Sequence, residues 1–226
     1  MTKTTILLIR HGQTDWNVIK RSQGHLDIPL NQVGRRQSEL LAQRLSGWPV
    51  NAVYSSDLSR ASETASIIGR ALGLVPFLDS DLRERHGGIF QGYTGEKLKE
   101  KYPEALQAFL DHGQPPPGGE SNLALARRAT PALERIAAAH RGEMIALVTH
   151  GGTLRVLIAH IMGLPPGRKP PFRVSQNTGL TIAEMSEHER VITLLNDCCH
   201  LELMKDHPDG RSSASLATGD DGYAIG

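Results

Sequence analysis

Five side chains of this sequence have types and settings that could do chemistry. Arg10 and His11 end an apolar run, Arg60 opens a helical stretch, Glu84 sits in a glycine-rich segment, and His150 ends a second apolar run. Singly, each has an ordinary explanation. Most histidines are surface or core-edge residues, and Glu84, between Arg83 and Arg85, reads as half of a surface ion pair. The joint pattern is harder to dismiss: two histidines each followed by glycine, with two arginines from different elements, form a cationic pocket sized for a phosphate. Arginine suits that anion because its planar fork donates parallel hydrogen bonds and keeps its charge. His11 could attack phosphorus through an unprotonated ring nitrogen, provided its other nitrogen donates to an acceptor that fixes the tautomer; Gly12 lets the backbone turn close beside it. A charged His150 would share the load on the equatorial oxygens, and Glu84 could hand a proton to the leaving alkoxide.

Such residues need elements that carry them to one place. Thr4–Ile9 and Met144–Val148 are unbroken apolar runs, the pattern of strands buried on both faces, and Ala52–Ser55 and Val75–Leu78 read as shorter strands. Helical spacing runs from an Asn31 cap to the Gly47 and Pro49 stop, from about Ser59 to Leu72, from Lys97 to His112, from a Ser121 cap towards His140, and from Thr149-His150-Gly151-Gly152 through Met162. Pro131 should kink the fourth of these or restart it with Thr130 as a new cap. Gly179–Met185 and Arg190–Leu195 read as an antiparallel pair at an edge. The alternation predicts an α/β fold, a three-layer sandwich with a largely parallel central sheet flanked by helices, plus a small, mostly helical insertion over the active site. In such sheets ligands bind outside the carboxyl ends of strands, where Arg10-His11-Gly12, Ser55-Ser56 leading to Arg60, and Thr149-His150-Gly151 stand. Residues 1–205 read as one domain with the insertion at about 82–120, and 206–226, rich in Ser, Gly and Asp, as a disordered tail.

Composition narrows the partners. In 226 residues, 25 Lys and Arg against 24 Asp and Glu leave a net charge of +1, and 4% aromatics offer few stacking platforms, so neither nucleic acid nor a membrane surface is expected. The run Ile6–Ile9 is far too short to span a bilayer and lacks a signal-peptide cleavage pattern. Two adjacent cysteines, Cys198 and Cys199, make no disulfide framework and no zinc spacing; they read as packing residues at a strand end. A cytoplasmic setting fits best, with a homodimer allowed. No ligand cluster for a metal stands out, which disfavours metal-assisted hydrolysis.

The residues also resemble a known family. Leu8-Ile9-Arg10-His11-Gly12-Gln13-Thr14 followed by Asp15-Trp16-Asn17, then Gln23-Gly24, Asp27-Ile28-Pro29-Leu30, Ser55-Ser56-Asp57-Leu58-Ser59-Arg60-Ala61 with Thr64-Ala65, Leu82-Arg83-Glu84 with Gln91-Gly92, Gly118-Gly119-Glu120-Ser121 and Val148-Thr149-His150-Gly151-Gly152 are similar, in order, to the histidine phosphatase superfamily, also called phosphoglycerate-mutase-like. The resemblance implies a phosphorylated nucleophile at His11, a proton donor at Glu84, and a phosphate pocket of Arg10, Arg60 and His150. It implies secondary contacts from Asn17, Gln23, Gly24 and Gly151, a small phosphorylated metabolite as substrate, and no metal or other cofactor. Cofactor-dependent mutases of the family have an aromatic residue where Gly87 stands, a basic residue near Gly95, paired arginines before the proline run at Pro115–Pro117, and Asn where Gly152 stands. Gly118-Gly119-Glu120-Ser121 resembles the phosphatase branch. A phosphomonoester hydrolase acting through a phosphohistidine is therefore expected, with a mutase as the alternative; a non-enzymatic phosphate-pocket module should have lost His11 or Glu84, and this chain keeps both.

Overall fold

Strands β1 (Thr4–Arg10), β2 (Val50–Ser55), β3 (Phe77–Leu78), β4 (Met144–Thr149), β5 (Leu180–Met185) and β6 (Arg190–Asp197) form one sheet in the order β3-β2-β4-β1-β5-β6. The computed structural model describes residues 2–166, 172, 174 and 176–204. β4 pairs in parallel with both β1 and β2, β2 in parallel with β3, while β5 runs antiparallel to β1 and β6. The α/β expectation is borne out, with the antiparallel pair at one edge.

The unbroken apolar runs are explained by burial on both faces. Alternate residues of β1 point to opposite sides. Ile6 and Leu8, with Ile145 and Leu147 of β4, pack against α6 (Asn122–Ala139) and α7 (Gly151–Ile161) through Leu125, Leu133, Leu154 and Leu157. Leu7 and Ile9, with Ala146 and Val148, pack against α2 (Gln32–Leu45) and α3 (Ser59–Leu72) through Leu41, Leu45, Ala61, Ala65 and Ile68. At about 1.5–3 kcal/mol for each large apolar side chain fully buried, these two layers are the main stabilising contribution.

The remaining helices are α1 (Asp15–Val18), a single turn capped by Thr14, α4 (Gly95–Lys101) and α5 (Pro103–His112). The single helix expected over Lys97–His112 is thus two. Pro103 disfavours helical backbone at the residue before it, and Tyr102 breaks the run at φ −138°, ψ 51°. Conversely, Pro131 neither ends nor restarts α6, which runs unbroken through it with Thr130 bonded back to the Ala126 carbonyl at 2.8 Å. Pro131 and Arg127 both lie on the exposed face, so the carbonyl that loses its partner can turn to water. β3 holds only Phe77 and Leu78, because Pro76 has no N–H for the ladder. Cys199 is exposed and Cys198 half-buried, so only the latter packs; burial first, then the charge of Asp197, pushes its thiol up to about 11. Around the segment from 88 to 112, Phe90, Leu98 and Leu106 form a small separate cluster, with Phe109 edge-on to Phe90 at 5.8 Å. The tail expected at 206–226 lies outside the described residues.

One close approach joins these layers to the loop after β1. A Cβ at Gly34, in the first turn of α2, would collide with the backbone of Gln13, and one at Gly12 would press on the Gly34 carbonyl. Helix α2 therefore sits directly on the turn that carries His11. Gly34→Ala should lower stability by about 1–3 kcal/mol in urea denaturation, with Gly95→Ala, which meets open space, as the neutral control.

Candidate active site

The parallel register pairs Arg10 with Thr149, so β1 and β4 end level with each other. His11 follows one and His150 the other, and their rings lie 5.1 Å apart. His11 Nδ1 donates to the Gly12 carbonyl at 2.7 Å, the acceptor the sequence reading required, and this leaves Nε2 with its lone pair. The Gly12 amide in turn donates to Thr64 Oγ1 at 3.0 Å. His150 Nε2 stands 2.9 Å from Ser56 Oγ at the end of β2, and its Nδ1 has no partner among the described residues.

Arg60 is placed by helix α3. The N-terminus of that helix lacks a cap of its own; Asp27 supplies one, accepting from the Ser59 amide at 2.7 Å. Arg60 is 1% exposed and donates to the carbonyls of Gly24 at 2.7 Å and Leu26 at 2.9 Å, which fixes the Gln23-Gly24 turn, while its Nε has no partner among the described residues. Gly24 adopts φ +52°, and a Cβ there would collide with Gln91. Gln23 is buried beside it. Glu84 is not on the surface as an isolated charge pattern would suggest: it is 4% exposed. Its Oε1 accepts from its neighbour Arg85 N at 2.8 Å, and its Oε2 from Gly152 N at 2.9 Å in the first turn of α7. A side chain at Gly152 would collide with that carboxylate, so the glycine makes room for it.

Electrostatics follow from burial. Desolvation first, then the charges of Arg60 and Arg10, push the His11 pKa well below the usual imidazole range. His150 is pushed down by the same burial and by Arg60, His11 and Arg10, so the protein's own groups favour a neutral ring where the sequence suggested a charged one. Burial also lowers Arg10, with Glu84 opposing, and lowers Arg60 to about 10, both remaining cations at neutral pH.

Of the residues singled out in the sequence, His11, His150, Arg60 and Glu84 come together through β1, β2, β4 and the N-termini of α3 and α7, and Arg10 is the last residue of β1 beside them. Gly151 opens α7. Asn17 engages its side-chain oxygen in the cap of α1, accepting from Thr14 N at 3.0 Å. Sequence reasoning missed Asn177, which donates to the His11 carbonyl at 2.9 Å, and Thr178, whose amide donates to the Arg10 carbonyl at 3.0 Å from a left-handed φ of 58°. A β-branched residue at positive φ is strained, and no spacing signal reveals it. Among the described residues, no group of three or more His, Cys, Asp and Glu could hold a metal ion, and no helix is long and apolar enough to cross a membrane.

Buried cations and imidazoles around one buried carboxylate, at the carboxyl ends of parallel strands, define an α/β phosphoryl-handling site. The histidine phosphatase superfamily (branch 1) matches residues 6–198, and the chain belongs to it. It is 41% identical to phosphoglycerate mutase-like protein 4 of Arabidopsis thaliana, over 87% of this chain and 86% of that one, and 39% identical to the metal-independent phosphoserine phosphatase of the same plant, over 88% and 83%. Among solved structures, a mycobacterial glucosyl-3-phosphoglycerate phosphatase in complex with VO3 superposes with a TM-score of 0.78 at 33% identity, covering 85% of this chain and 98% of that one. The two phosphatases among these relatives bear out the expected histidine phosphatase, a phosphomonoester hydrolase, and the mutase alternative is less supported.

The neutral imidazoles have a consequence for stability. In the unfolded chain they protonate near pH 6.5, whereas in the folded protein His11 and His150 resist it, and burial lowers His200 to about 4. Below about pH 6.5 the unfolded state binds more protons, so stability falls as pH falls, by up to about 1.4 kcal/mol per pH unit for each such group. Melting temperature should drop between about pH 7.5 and 5, and a His11→Gln/His150→Gln variant should drop less over that window. Identical profiles would contradict the depressed values.

Proposed function

We propose that the protein hydrolyses phosphomonoesters through a phosphohistidine on His11, with Glu84 as proton donor and then proton acceptor. The observation that carries this reading is the 2.7 Å bond from His11 Nδ1 to the Gly12 carbonyl, which leaves Nε2 free to attack beside the charges of Arg60 and Arg10. In the first step a bond forms between Nε2 and phosphorus as the ester P–O bond breaks, and the leaving alkoxide takes the proton of the Glu84 carboxyl. In the second, water attacks phosphorus, the P–N bond breaks, and the water's proton passes to the Glu84 carboxylate. Arg10 and Arg60 offset the phosphoryl charge throughout, and a bound dianion favours the protonated His150 that the protein's own groups disfavour. The backbone at Gly24 and at Gly151, where α7 begins, completes the pocket, since a helix N-terminus favours an anion.

Hydrolysis is favoured over mutase chemistry by what occupies the mouth. The place of an aromatic side chain at Gly87 is filled by Gln91, which would meet a Cβ at 2.9 Å and whose Oε1 accepts from Gly87 N at 3.1 Å and His25 N at 2.8 Å. Retaining a phosphohistidine against water requires a sealed site and extra cations to hold an acceptor in line. The substrate is a small phosphorylated metabolite. Esters of the kind named in the relatives, phosphoserine and sugar-linked phosphoglycerate, are the first to test, with the half-buried guanidinium of Arg85 next to Glu84 as a contact for their anionic part.

His11→Ala should keep the fold and lose several orders of magnitude in turnover. Brief incubation of the unmodified enzyme with labelled substrate should leave an acid-labile, base-stable adduct on His11; a fully active variant would refute the mechanism. With 3-phosphoglycerate in EDTA, phosphate release should greatly exceed isomerisation and need no bisphosphoglycerate primer. Rapid primer-dependent isomerisation with negligible phosphate release would make the protein a mutase.

A further inference from the structure

The segment Asp81–Glu84 runs out of a short 3-10 turn, Ser80–Leu82, into the insertion and joins no sheet ladder, so its partly buried carbonyls need side-chain partners. Four side chains supply them. Thr149 Oγ1 donates to the Leu82 carbonyl at 2.6 Å, Thr153 Oγ1 to that of Arg83 at 2.8 Å, and His25 Nε2 lies 2.7 Å from that of Glu84. The fourth is Arg128 on α6, whose Nη1 donates to Asp81 O at 2.8 Å and Arg83 O at 2.9 Å and whose Nη2 donates to Glu84 O at 2.8 Å. Its remaining N–H groups, on Nε and Nη2, form a two-pronged pair with Glu120 Oε1 and Oε2, each at 2.8 Å. Five donors thus meet five acceptors, and none is left for a ligand. Glu120 is bonded across to the same loop, accepting from His86 N at 3.2 Å while its own amide donates to His86 O at 2.8 Å.

We propose that Arg128, oriented by Glu120, is the positioning residue for Glu84: one guanidinium ties both roots of the insertion to α6 and so aims the carboxyl that protonates the leaving group. This rests on the assignment of Glu84 as proton donor. The clamp fixes the Glu84 backbone, and the amides of Arg85 and Gly152 fix its carboxylate, so both ends of the side chain are held. Lysine could not replace the arginine, since one ammonium cannot span three carbonyls and a carboxylate. The Gly118-Gly119-Glu120-Ser121 motif thereby acquires a chemical role: its glutamate holds the clamp and its serine caps α6, accepting from Ala124 N at 3.0 Å.

A brace that merely stabilised the fold would slow all substrates alike. A positioning residue for the acid should matter only where the leaving group needs a proton. The test is kcat/KM across esters from p-nitrophenyl phosphate to a simple alkyl phosphate, for the unmodified enzyme, Glu84→Gln, Arg128→Met and the double variant, with vanadate inhibition and melting temperature as controls. Glu84→Gln should lose about 10²- to 10⁴-fold on the alkyl ester and far less on the aryl ester. Arg128→Met should lose at least about tenfold on the alkyl ester and under about threefold on the aryl ester, with vanadate inhibition kept, and the double variant should be no worse than Glu84→Gln. Equal losses on all esters for Arg128→Met, alongside a leaving-group-selective Glu84→Gln, would overturn the clamp and leave the acid assignment standing. A non-selective Glu84→Gln would overturn the acid assignment and the clamp with it. If Arg128→Met fails to fold, Glu120→Gln, which keeps the shape but weakens the pair, must show the same selectivity in smaller measure, or the proposal fails.

Discussion

The parallel pairing of β1 with β4 is the constraint on which the site depends. Because Arg10 lies opposite Thr149, the two strands finish together, and the His11 amide bonds to the Thr149 carbonyl at 2.9 Å just beyond the ladder. Two imidazoles 139 positions apart in the chain are thereby brought ring to ring. A parallel sheet buried on both faces holds this register firmly, since a slip of one residue would turn the apolar side chains of β1 from one helical layer to the other.

What the strands deliver is a concentration of buried donors, and this is costly in isolation. Arg10 and Arg60 lose hydration, and both imidazoles are driven neutral by burial and by those same cations. The arrangement persists because Arg60 bonds to two backbone carbonyls and because a single buried carboxylate, Glu84, opposes the positive field. Such a pocket is complementary to a dianion, and an incoming phosphoryl group finds donors already oriented.

Glu84 reaches that pocket by a different route from the other groups. The rest sit at ends of strands or of helices packed on the sheet, whereas Glu84 enters from an irregular segment that depends on Thr149, Thr153, His25 and Arg128 for its carbonyl partners. Side chains on α6, α7 and β4 therefore take the place of a ladder. Glycines at 24, 34 and 152 permit the close contacts that bring loop, helix and carboxylate together.

The sequence by itself determined the layered α/β fold, because unbroken apolar strands alternating with amphipathic helices have few other ways to be buried. It also determined Arg10, His11, Arg60 and His150 as one group, since strand ends in such a fold converge, and singled out Glu84 by its place in a glycine-rich stretch able to reach over them. Local chemistry was less decisive: Pro103 broke a helix that spacing alone had joined, whereas Pro131, on an exposed face, did not. Only the tertiary structure decided which carbonyls Arg128 would bind, that Asn177 and Thr178 would brace the His11 turn, and that Glu84 would be buried. These contacts join residues 44 and 166 positions apart. Hydrogen bonds of that span follow from where packed elements place irregular backbone, and no periodicity in the chain encodes them.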